Sequence, residues 1–176
     1  MITYRKLEIS EIDGKLYISF IRRQVVTKCW RKINGVWEIK YAPFIDDWST
    51  EDYEALIIKL RNIIAESGFV FGAFINEKLK GFAAVQKNLI GSRKQYADLV
   101  ELHVSYDVRR QGIGTKLFFA AADFARESGA KKLYISSHSA VESQSFYRSL
   151  GCIDALELNT QHVKSEPFDC QLEFKL

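Results

Sequence analysis

Residues 98–128, DLVELHVSYDVRRQGIGTKLFFAAADFARES, combine the patterns of a strand, a turn and a helix. Side chains alternate between two faces along residues 97–104, which predicts a β-strand. In a regular strand Asp98 and Glu101 would lie on opposite faces, unless a bulge intervened. Apolar residues then recur at helical spacing, and Gly129 follows where a helix commonly ends. The sequence therefore predicts a strand that leads through a short turn into a helix.

The turn in this stretch, residues 109–114 (RRQGIG), is suited to binding an anion. Unpaired N–H groups and aligned peptide dipoles make the N-terminus of a helix positive. Gly112 and Gly114 lack a Cβ atom, so a bulky anion can approach the backbone closely. Arg109 and Arg110 add full charges. The turn matches neither the P-loop nor the G-x-G-x-x-G pattern, but it predicts a pyrophosphate site at the end of the strand.

Two motifs resemble those of the GNAT superfamily of N-acetyltransferases. Arg109, Gly112 and Gly114 match R/Q-x-x-G-x-G/A, which in that family seats the pyrophosphate of acetyl-CoA. Residues 145–151, SFYRSLG, look like the F-Y-x-x-x-G segment of the family. The surrounding residues 139–152 are also similar to streptothricin acetyltransferases, a branch that modifies an antibiotic amine.

The order of the predicted elements agrees with this resemblance. Helices are predicted from Ser49 or Thr50, after the glycine turn and from Ala140, and strands over residues 2–7, 24–32, 36–44, 69–75, 81–90, 97–104, 131–138, 152–158 and 168–176. The resemblance implies one α/β (α+β) domain over residues 1–176, with flanking helices and a mixed central sheet of about six or seven strands. The strand over residues 131–138 should be parallel to the strand before the turn, because a helix connects them.

Two strand predictions bear on the site and the core. Asn34-Gly35 predicts a tight hairpin turn between the second and third strands. The family usually places helices there, so the hairpin is a departure and the acceptor site is not assigned. In the last strand, apolar residues alternate with polar residues that include Gln171 and Glu173, which predicts a half-buried antiparallel strand.

The chemistry that the resemblance implies is acetyl transfer from a thioester to an amine. It requires a neutral amine, a polarised carbonyl and an acid for the departing thiolate. Tyr147 matches the family tyrosine that points at the coenzyme sulfur, so the resemblance implies that it is the acid. Asp98 falls where several family members carry a carboxylate, and Glu101 is on the same strand. Either could be the base or serve a structural hydrogen bond, and direct transfer needs no nucleophile such as Cys152.

The resemblance also implies where the coenzyme binds. Family members bind it through backbone groups where the strand before the turn splays from its neighbour, and at the turn itself. The family often has an asparagine seven residues before the tyrosine; Ala140 stands there, and Ser139 or Ser143 is the candidate substitute. The predicted coenzyme-binding residues are Leu102, His103, Val104, Arg109, Arg110, Gln111, Gly112, Ile113, Gly114, Thr115 and Ser143.

Composition narrows the class of protein. A chain of 176 residues with a formal charge of +3 suits one domain, and its scattered basic residues argue against a nucleic-acid partner. Cys29, Cys152 and Cys170 show no zinc-binding spacing, and small buried hydrophobes are the expected role of all three. No apolar run reaches the ~18 residues of a membrane span. We therefore expect a cytoplasmic protein with no metal and no membrane partner, in which exposed strand edges make a homodimer possible.

The sequence thus predicts an acetyl-CoA-dependent N-acetyltransferase acting on a primary amine, favouring a small molecule. An enzyme acting on a protein or peptide amino group is the near alternative. A non-catalytic acyl-CoA-binding sensor is the alternative from another class of protein.

Overall fold

A computed structural model describes residues 1–176. It contains nine strands and four helices, with three short 3₁₀ turns at Ile9–Glu11, Gly14–Tyr17 and Tyr106–Val108. The strands are β1 (Ile2–Lys6), β2 (Arg23–Ile33), β3 (Val36–Asp47), β4 (Phe69–Ile75), β5 (Lys78–Val85), β6 (Tyr96–Val104), β7 (Lys132–Ser137), β8 (Ile153–Asp154) and β9 (Cys170–Lys175). The helices are α1 (Thr50–Ala65), α2 (Ile113–Glu127), α3 (Val141–Ser149) and α4 (Thr160–Ser165). None of the helices is both long enough and apolar enough to cross a membrane.

Seven strands form one mixed sheet, which confirms the predicted sheet of about six or seven strands. Their order is β1-β4-β5-β6-β7-β9-β8. Only β6 and β7 are parallel, because α2 carries the chain back between them. The two remaining strands, β2 and β3, pair with each other as the predicted hairpin. Its turn has φ angles of 51° at Asn34 and 83° at Gly35, the left-handed conformation that this dipeptide favours.

The helices α1 and α2 pack on opposite faces of the sheet, and each covers its own apolar core. Leu117 and Ala121 of α2 are fully buried against one face, together with Leu133 of β7. On the other face α1 buries Leu56, Leu60 and Ile63. Of the two residues predicted to start α1, Ser49 is its cap: the backbone N–H of Asp52 donates to the Ser49 hydroxyl at 3.2 Å.

β6 and β7 separate soon after they meet. They pair only between Tyr96–Asp98 and Lys132–Tyr134, although β6 continues to Val104 and β7 continues to Ser137. Beyond Asp98 the facing edges of the two strands therefore have backbone groups with no partner in the sheet. This divergence opens a cleft in the middle of the sheet.

A bulge in β6 changes which side chains face α1. Glu101 pairs with Ala84, but Leu99 pairs with the next residue of β5, Val85, so Val100 is an extra residue. Leu99 packs into the core under α2, and so does Leu102 rather than Glu101. The bulge thereby brings Asp98 and Glu101 to the same face of the sheet.

The C-terminal third departs most from the sequence prediction. The strand predicted over residues 152–158 is only Ile153–Asp154, and α4 was not predicted. β9 is not half-buried: Gln171 and Glu173, expected on its solvent face, are 9% and 3% exposed. The chain that leads into α4 covers that face, and the backbone N–H of Leu156 donates to Glu173 at 3.2 Å.

The predicted bounds of β5 need adjustment at both ends. β5 ends at Val85 rather than at residue 90, and it begins at Lys78 rather than at residue 81. A two-residue turn precedes it, in which Asn76 and Glu77 have φ angles of 49° and 62°. All three cysteines are buried and free, as expected of small apolar side chains.

Candidate active site

A cleft of about 1530 Å³ opens where β6 and β7 diverge. Its walls come from β6, the start of α2, the end of β7, α3, α4 and the β2–β3 hairpin. Of the residues predicted for the site, only Gln111 does not line it. Those that do are Asp98, Glu101, Leu102, His103, Val104, Arg109, Arg110, Gly112, Ile113, Gly114, Thr115, Ser143 and Tyr147.

The glycine turn leaves the N-terminus of α2 open. Gly112 is the N-cap residue with a φ angle of 76°, and no side chain caps the helix. A Cβ atom added to Gly112 would meet nothing within 4 Å, whereas one added to Gly114 would lie 3.3 Å from the ring of Phe146. Gly112 thus keeps free space in front of the helix, and Gly114 lets α3 approach. An uncapped, positive and accessible helix end fits an anionic diphosphate.

The two arginines of the turn differ in their contacts. Arg109 Nη2 donates to the backbone oxygen of Arg23 at 2.6 Å, and its Nε donates to the backbone oxygen of Val104 at 3.3 Å. Burial, followed by the charge of Arg22, lowers the pKa of Arg109. Arg109 therefore ties the end of β6 to the hairpin, while Arg110 is exposed at the rim of the cleft.

Tyr147 places a hydroxyl at the cleft from α3. Its ring packs edge-on against Phe118 and Phe146, with centroid separations of 6.2 and 5.1 Å. Its hydroxyl makes no hydrogen bond to the protein, and burial raises the pKa of the phenol above its ordinary value. The phenol therefore stays protonated at neutral pH and can donate that proton.

Ser139 and Ser143, the two candidate substitutes for the family asparagine, are in different environments. Ser143 lines the cleft, and its hydroxyl accepts a hydrogen bond from Gln24 Nε2 at 3.2 Å. Ser139 is buried outside the cleft lining, and its hydroxyl accepts from Arg31 Nη1 at 2.6 Å. Ser139 thus holds the hairpin, and Ser143 is the serine with access to the cleft.

The Glu101 carboxylate is paired with Lys59 and His103. Lys59 Nζ and His103 Nε2 each lie 2.7 Å from its carboxylate, which is 11% exposed. Burial acts to raise the pKa of Glu101, but His103 and Lys59 together hold it below the ordinary value. Such a paired carboxylate is a weak proton acceptor at neutral pH.

Asp98 has one partner, which the sequence did not reveal. Its Oδ2 lies 2.7 Å from Nε2 of His162 on α4, while its Oδ1 is buried with no hydrogen bond. α4 begins after Asn159, whose Oδ1 accepts the backbone N–H groups of Gln161 and His162 at 2.9 and 3.1 Å. That capping asparagine is the one sequence signal that could have indicated the helix.

The hairpin and the end of β7 bring further unpredicted side chains to the cleft. Arg22 Nη2 lies 2.5 Å from Asp46 Oδ2, and the Arg22 guanidinium lies over the ring of Trp48. The backbone N–H of Ala140 donates to Nδ1 of His138 at 3.1 Å, and burial lowers the pKa of His138. No group of three or more histidine, cysteine, aspartate or glutamate side chains converges to hold a metal ion.

Comparison with known proteins places these features in context. Residues 33–152 match the sequence model described as the acetyltransferase (GNAT) family. A protein assigned as a streptothricin acetyltransferase from Bacillus anthracis str. Ames, solved with acetyl coenzyme A, is similar with a TM-score of 0.73 and 14% identity, over 100% of this chain and 99% of that one. Nourseothricin acetyltransferase is similar with a TM-score of 0.68 and 17% identity, over 98% and 95% of the two chains.

A third solved structure is similar across its whole length. The paia N-acetyltransferase from Thermoplasma acidophilum, solved with coenzyme A, has a TM-score of 0.61 and 22% identity, over 100% of this chain and 99% of that one. At these identities the likeness establishes a shared fold. No curated protein sequence matches the chain.

Proposed function

The chain belongs to the GNAT family of acetyltransferases, and from that membership we propose that it acetylates a primary amine of a small molecule by direct transfer from acetyl-CoA. The observation that carries the proposal is the cleft between β6 and β7. There an open helix N-terminus and the free hydroxyl of Tyr147 line one cavity of about 1530 Å³.

The coenzyme side of the cleft is formed by backbone. Residues 112–115 would hold the diphosphate through the N–H groups of the first turn of α2, and Arg110 would add a charge at the rim. The unpaired edge of β6 at Leu102–Val104 would receive the pantetheine arm and polarise the acetyl carbonyl. The Ser143 hydroxyl offers a further polar contact from α3.

Direct transfer requires the two substrates to be held side by side. The amine nitrogen attacks the thioester carbon, the C–S bond breaks, and Tyr147 protonates the departing sulfur. Asp98 and Glu101 both face the cleft as candidate bases. Of the two, Glu101 is held in ion pairs with Lys59 and His103, whereas Asp98 has no lysine or arginine partner.

The side chains that line the cleft favour an acceptor that is small and positively charged. The β2–β3 hairpin lines one side and is fixed to the chain beyond β7, since the backbone N–H of Trp30 donates to the backbone oxygen of Ser139 at 2.8 Å. Carboxylates outnumber cationic side chains in the cleft lining: the carboxylates are Asp46, Asp98, Glu101, Glu142, Glu166 and Asp169, and the cations are Arg22, Lys59, Arg109 and Arg110. A walled, acidic cleft suits a small amine better than an extended protein segment.

The experiment that tests this proposal measures thiol release from acetyl-CoA over a panel of small amines that includes streptothricin, with a lysine-containing peptide beside them. Turnover of a small amine supports the proposal, and turnover of the peptide alone supports the protein-directed alternative. Coenzyme binding by calorimetry without thiol release from any acceptor would instead support a sensor. We also expect the protein to act in the cytoplasm. We further expect a homodimer formed through exposed sheet edges, and sedimentation would test that oligomeric state.

A further inference from the structure

Asp98 and His162 meet where β6 leaves β7, although 64 residues separate them in the sequence. A carboxylate only accepts hydrogen bonds, so the imidazole nitrogen that faces it, Nε2, carries the hydrogen. In the neutral ring the lone pair is then on Nδ1. Nδ1 has no hydrogen-bond partner in the protein, and the His162 side chain lines the cleft with 24% of its surface exposed.

The orientation of this imidazole is fixed by three elements. Its ring stacks on Tyr134 of β7 at a centroid distance of 5.7 Å and an interplanar angle of 19°. The Tyr134 hydroxyl donates to Gln171 Oε1 at 2.7 Å and accepts the backbone N–H of Asn159 at 2.9 Å. Because Asn159 also caps α4, the strand, the cap and the ring hold one another in place. Because Nε2 donates to the Asp98 carboxylate, Nδ1 is the imidazole nitrogen that is free to accept a proton.

The other two histidines of the cleft are less suited to accept a proton. His103 also has Nε2 on a carboxylate, but Glu101 divides its charge between His103 and Lys59. His138 already uses Nδ1 to accept the backbone N–H of Ala140. The charge of Asp98 has no lysine or arginine partner and acts on His162.

We propose that His162 accepts the proton of the attacking amine through Nδ1, and that Asp98 is its positioning residue. This proposal rests on the proposed function. Nδ1 takes one proton from the bound ammonium group, and the neutral nitrogen then attacks the acetyl carbon. The second proton that this nitrogen loses as the amide forms passes to solvent. The C–S electron pair leaves with sulfur, which takes the proton of Tyr147. Afterwards the imidazolium releases its proton to solvent and the phenolate regains one from solvent.

The electrostatic surroundings agree with this role. The hydrogen bond that His162 Nε2 donates to Asp98 raises the pKa of His162 and outweighs the burial that lowers it. Lys59 on α1 acts to lower this pKa, and Asp169 before β9 acts to raise it. A base that titrates somewhat above the ordinary histidine value is effective near neutral pH. Turnover should therefore rise with pH as His162 loses its proton.

The test compares two nucleophiles in His162→Asn. A primary alkylamine is an ammonium ion at neutral pH and needs a proton acceptor, whereas hydroxylamine is already neutral. With the alkylamine that the wild type uses best, kcat at neutral pH should fall by about 10²–10⁴, and the remaining rise with pH should follow the deprotonation of the amine itself instead of that of His162. With hydroxylamine, kcat should stay within a few-fold of wild type. Lys164→Gln, an exposed change on the same helix outside the cleft lining, is the control for folding.

Asp98→Asn tests the positioning role separately. The His162 pKa, followed by NMR of the imidazole nitrogens, should fall, and the acidic limb of the pH profile should move to lower pH with it. His103→Asn should keep the acidic limb.

Three outcomes would overturn the assignment. His162→Asn could keep both turnover of the alkylamine and the acidic limb. His103→Asn could be the variant that loses that limb. The His162 pKa could be unchanged by Asp98→Asn. A wild-type protein that binds acetyl-CoA but acetylates neither nucleophile would instead refute the proposed function, and this inference with it.

Discussion

Gly112 and Gly129 lie at opposite ends of α2 with φ angles of 76° and 86°, and a Cβ atom added to either would touch nothing within 4 Å. The two glycines therefore carry the same backbone strain if replaced. Only Gly112 is at the cleft. Replacing each glycine in turn therefore distinguishes two requirements at Gly112: a residue that tolerates the left-handed conformation, and open space in front of the helix.

We predict that Gly112→Ala and Gly129→Ala each lower the free energy of unfolding by about 1–2 kcal/mol, because L-residues are strained in the left-handed region. Only Gly112→Ala should also weaken acetyl-CoA binding, by roughly tenfold (~1.4 kcal/mol), since the proposed function places the diphosphate where the new methyl group would lie. Urea unfolding and isothermal calorimetry measure the two quantities. Equal coenzyme affinities in the two variants would place the diphosphate elsewhere.

Tyr147→Phe should lower kcat by about 10²–10⁴ while the dissociation constant of acetyl-CoA stays near the wild-type value. The ring keeps its packing against Phe118 and Phe146, and the hydroxyl has no protein partner to lose. Steady-state kinetics and calorimetry check this. Tyr41→Phe, at a hairpin residue that is 76% exposed, removes the same atom far from the chemistry and should behave as wild type. Full turnover by Tyr147→Phe would exclude the acid role.

The two arginines of the turn should respond differently to truncation. Arg109→Ala should lower the free energy of unfolding by about 1–3 kcal/mol, because the backbone oxygens of Val104 and Arg23 lose their donor. Arg110→Ala should leave the melting temperature nearly unchanged and weaken coenzyme binding, with an effect that shrinks as salt screens the charge. Thermal melts and calorimetry at two salt concentrations separate the cases. If Arg109→Ala instead weakened coenzyme binding and Arg110→Ala lowered the melting temperature, Arg109 would be the coenzyme contact.

Asp169→Asn should stabilise the protein at neutral pH. Burial, followed by the charge of Glu166, raises the pKa of Asp169 from 3.8 to about 6. Because the folded-state pKa is the higher one, the stability contributed by this group is complete below 3.8 and is lost as the pH rises through about 6. The variant should therefore gain up to about 3 kcal/mol at neutral pH and nothing under acidic conditions.

Urea unfolding at several pH values measures this dependence. Asp123→Asn, at a carboxylate whose side chain is 69% exposed, should shift the stability by less than about 0.5 kcal/mol at any pH. A stability difference for Asp169→Asn that does not change with pH would contradict the raised pKa.

The local elements of the site could be predicted because their signals lie within a few residues. The strand before the glycine turn, α2 and the hairpin at Asn34-Gly35 each follow from side-chain period or turn chemistry. Gly112 adopts the left-handed conformation that lets α2 start without a capping side chain. The mixed sheet was implied by the family resemblance, with which the order of these elements agrees.

The face of Glu101 could not be predicted, because it depends on pairing between strands. One extra residue at Val100 changes the alternation of β6, and the sequence of β6 alone does not show it. The burial of Gln171 and Glu173 likewise depends on a segment that crosses β9 after the sheet has formed. Alternation in one strand describes two faces but does not say what will cover each of them.

The sequence by itself determined that a strand leads through a glycine turn into a helix, the arrangement that we propose binds an anion, because period and turn conformation are properties of neighbouring residues. Only the tertiary structure decided that Asp98 meets His162. A helix of six residues carries too little pattern to be recognised, and a hydrogen bond across 64 residues exists only after β6, β7 and α4 have packed together.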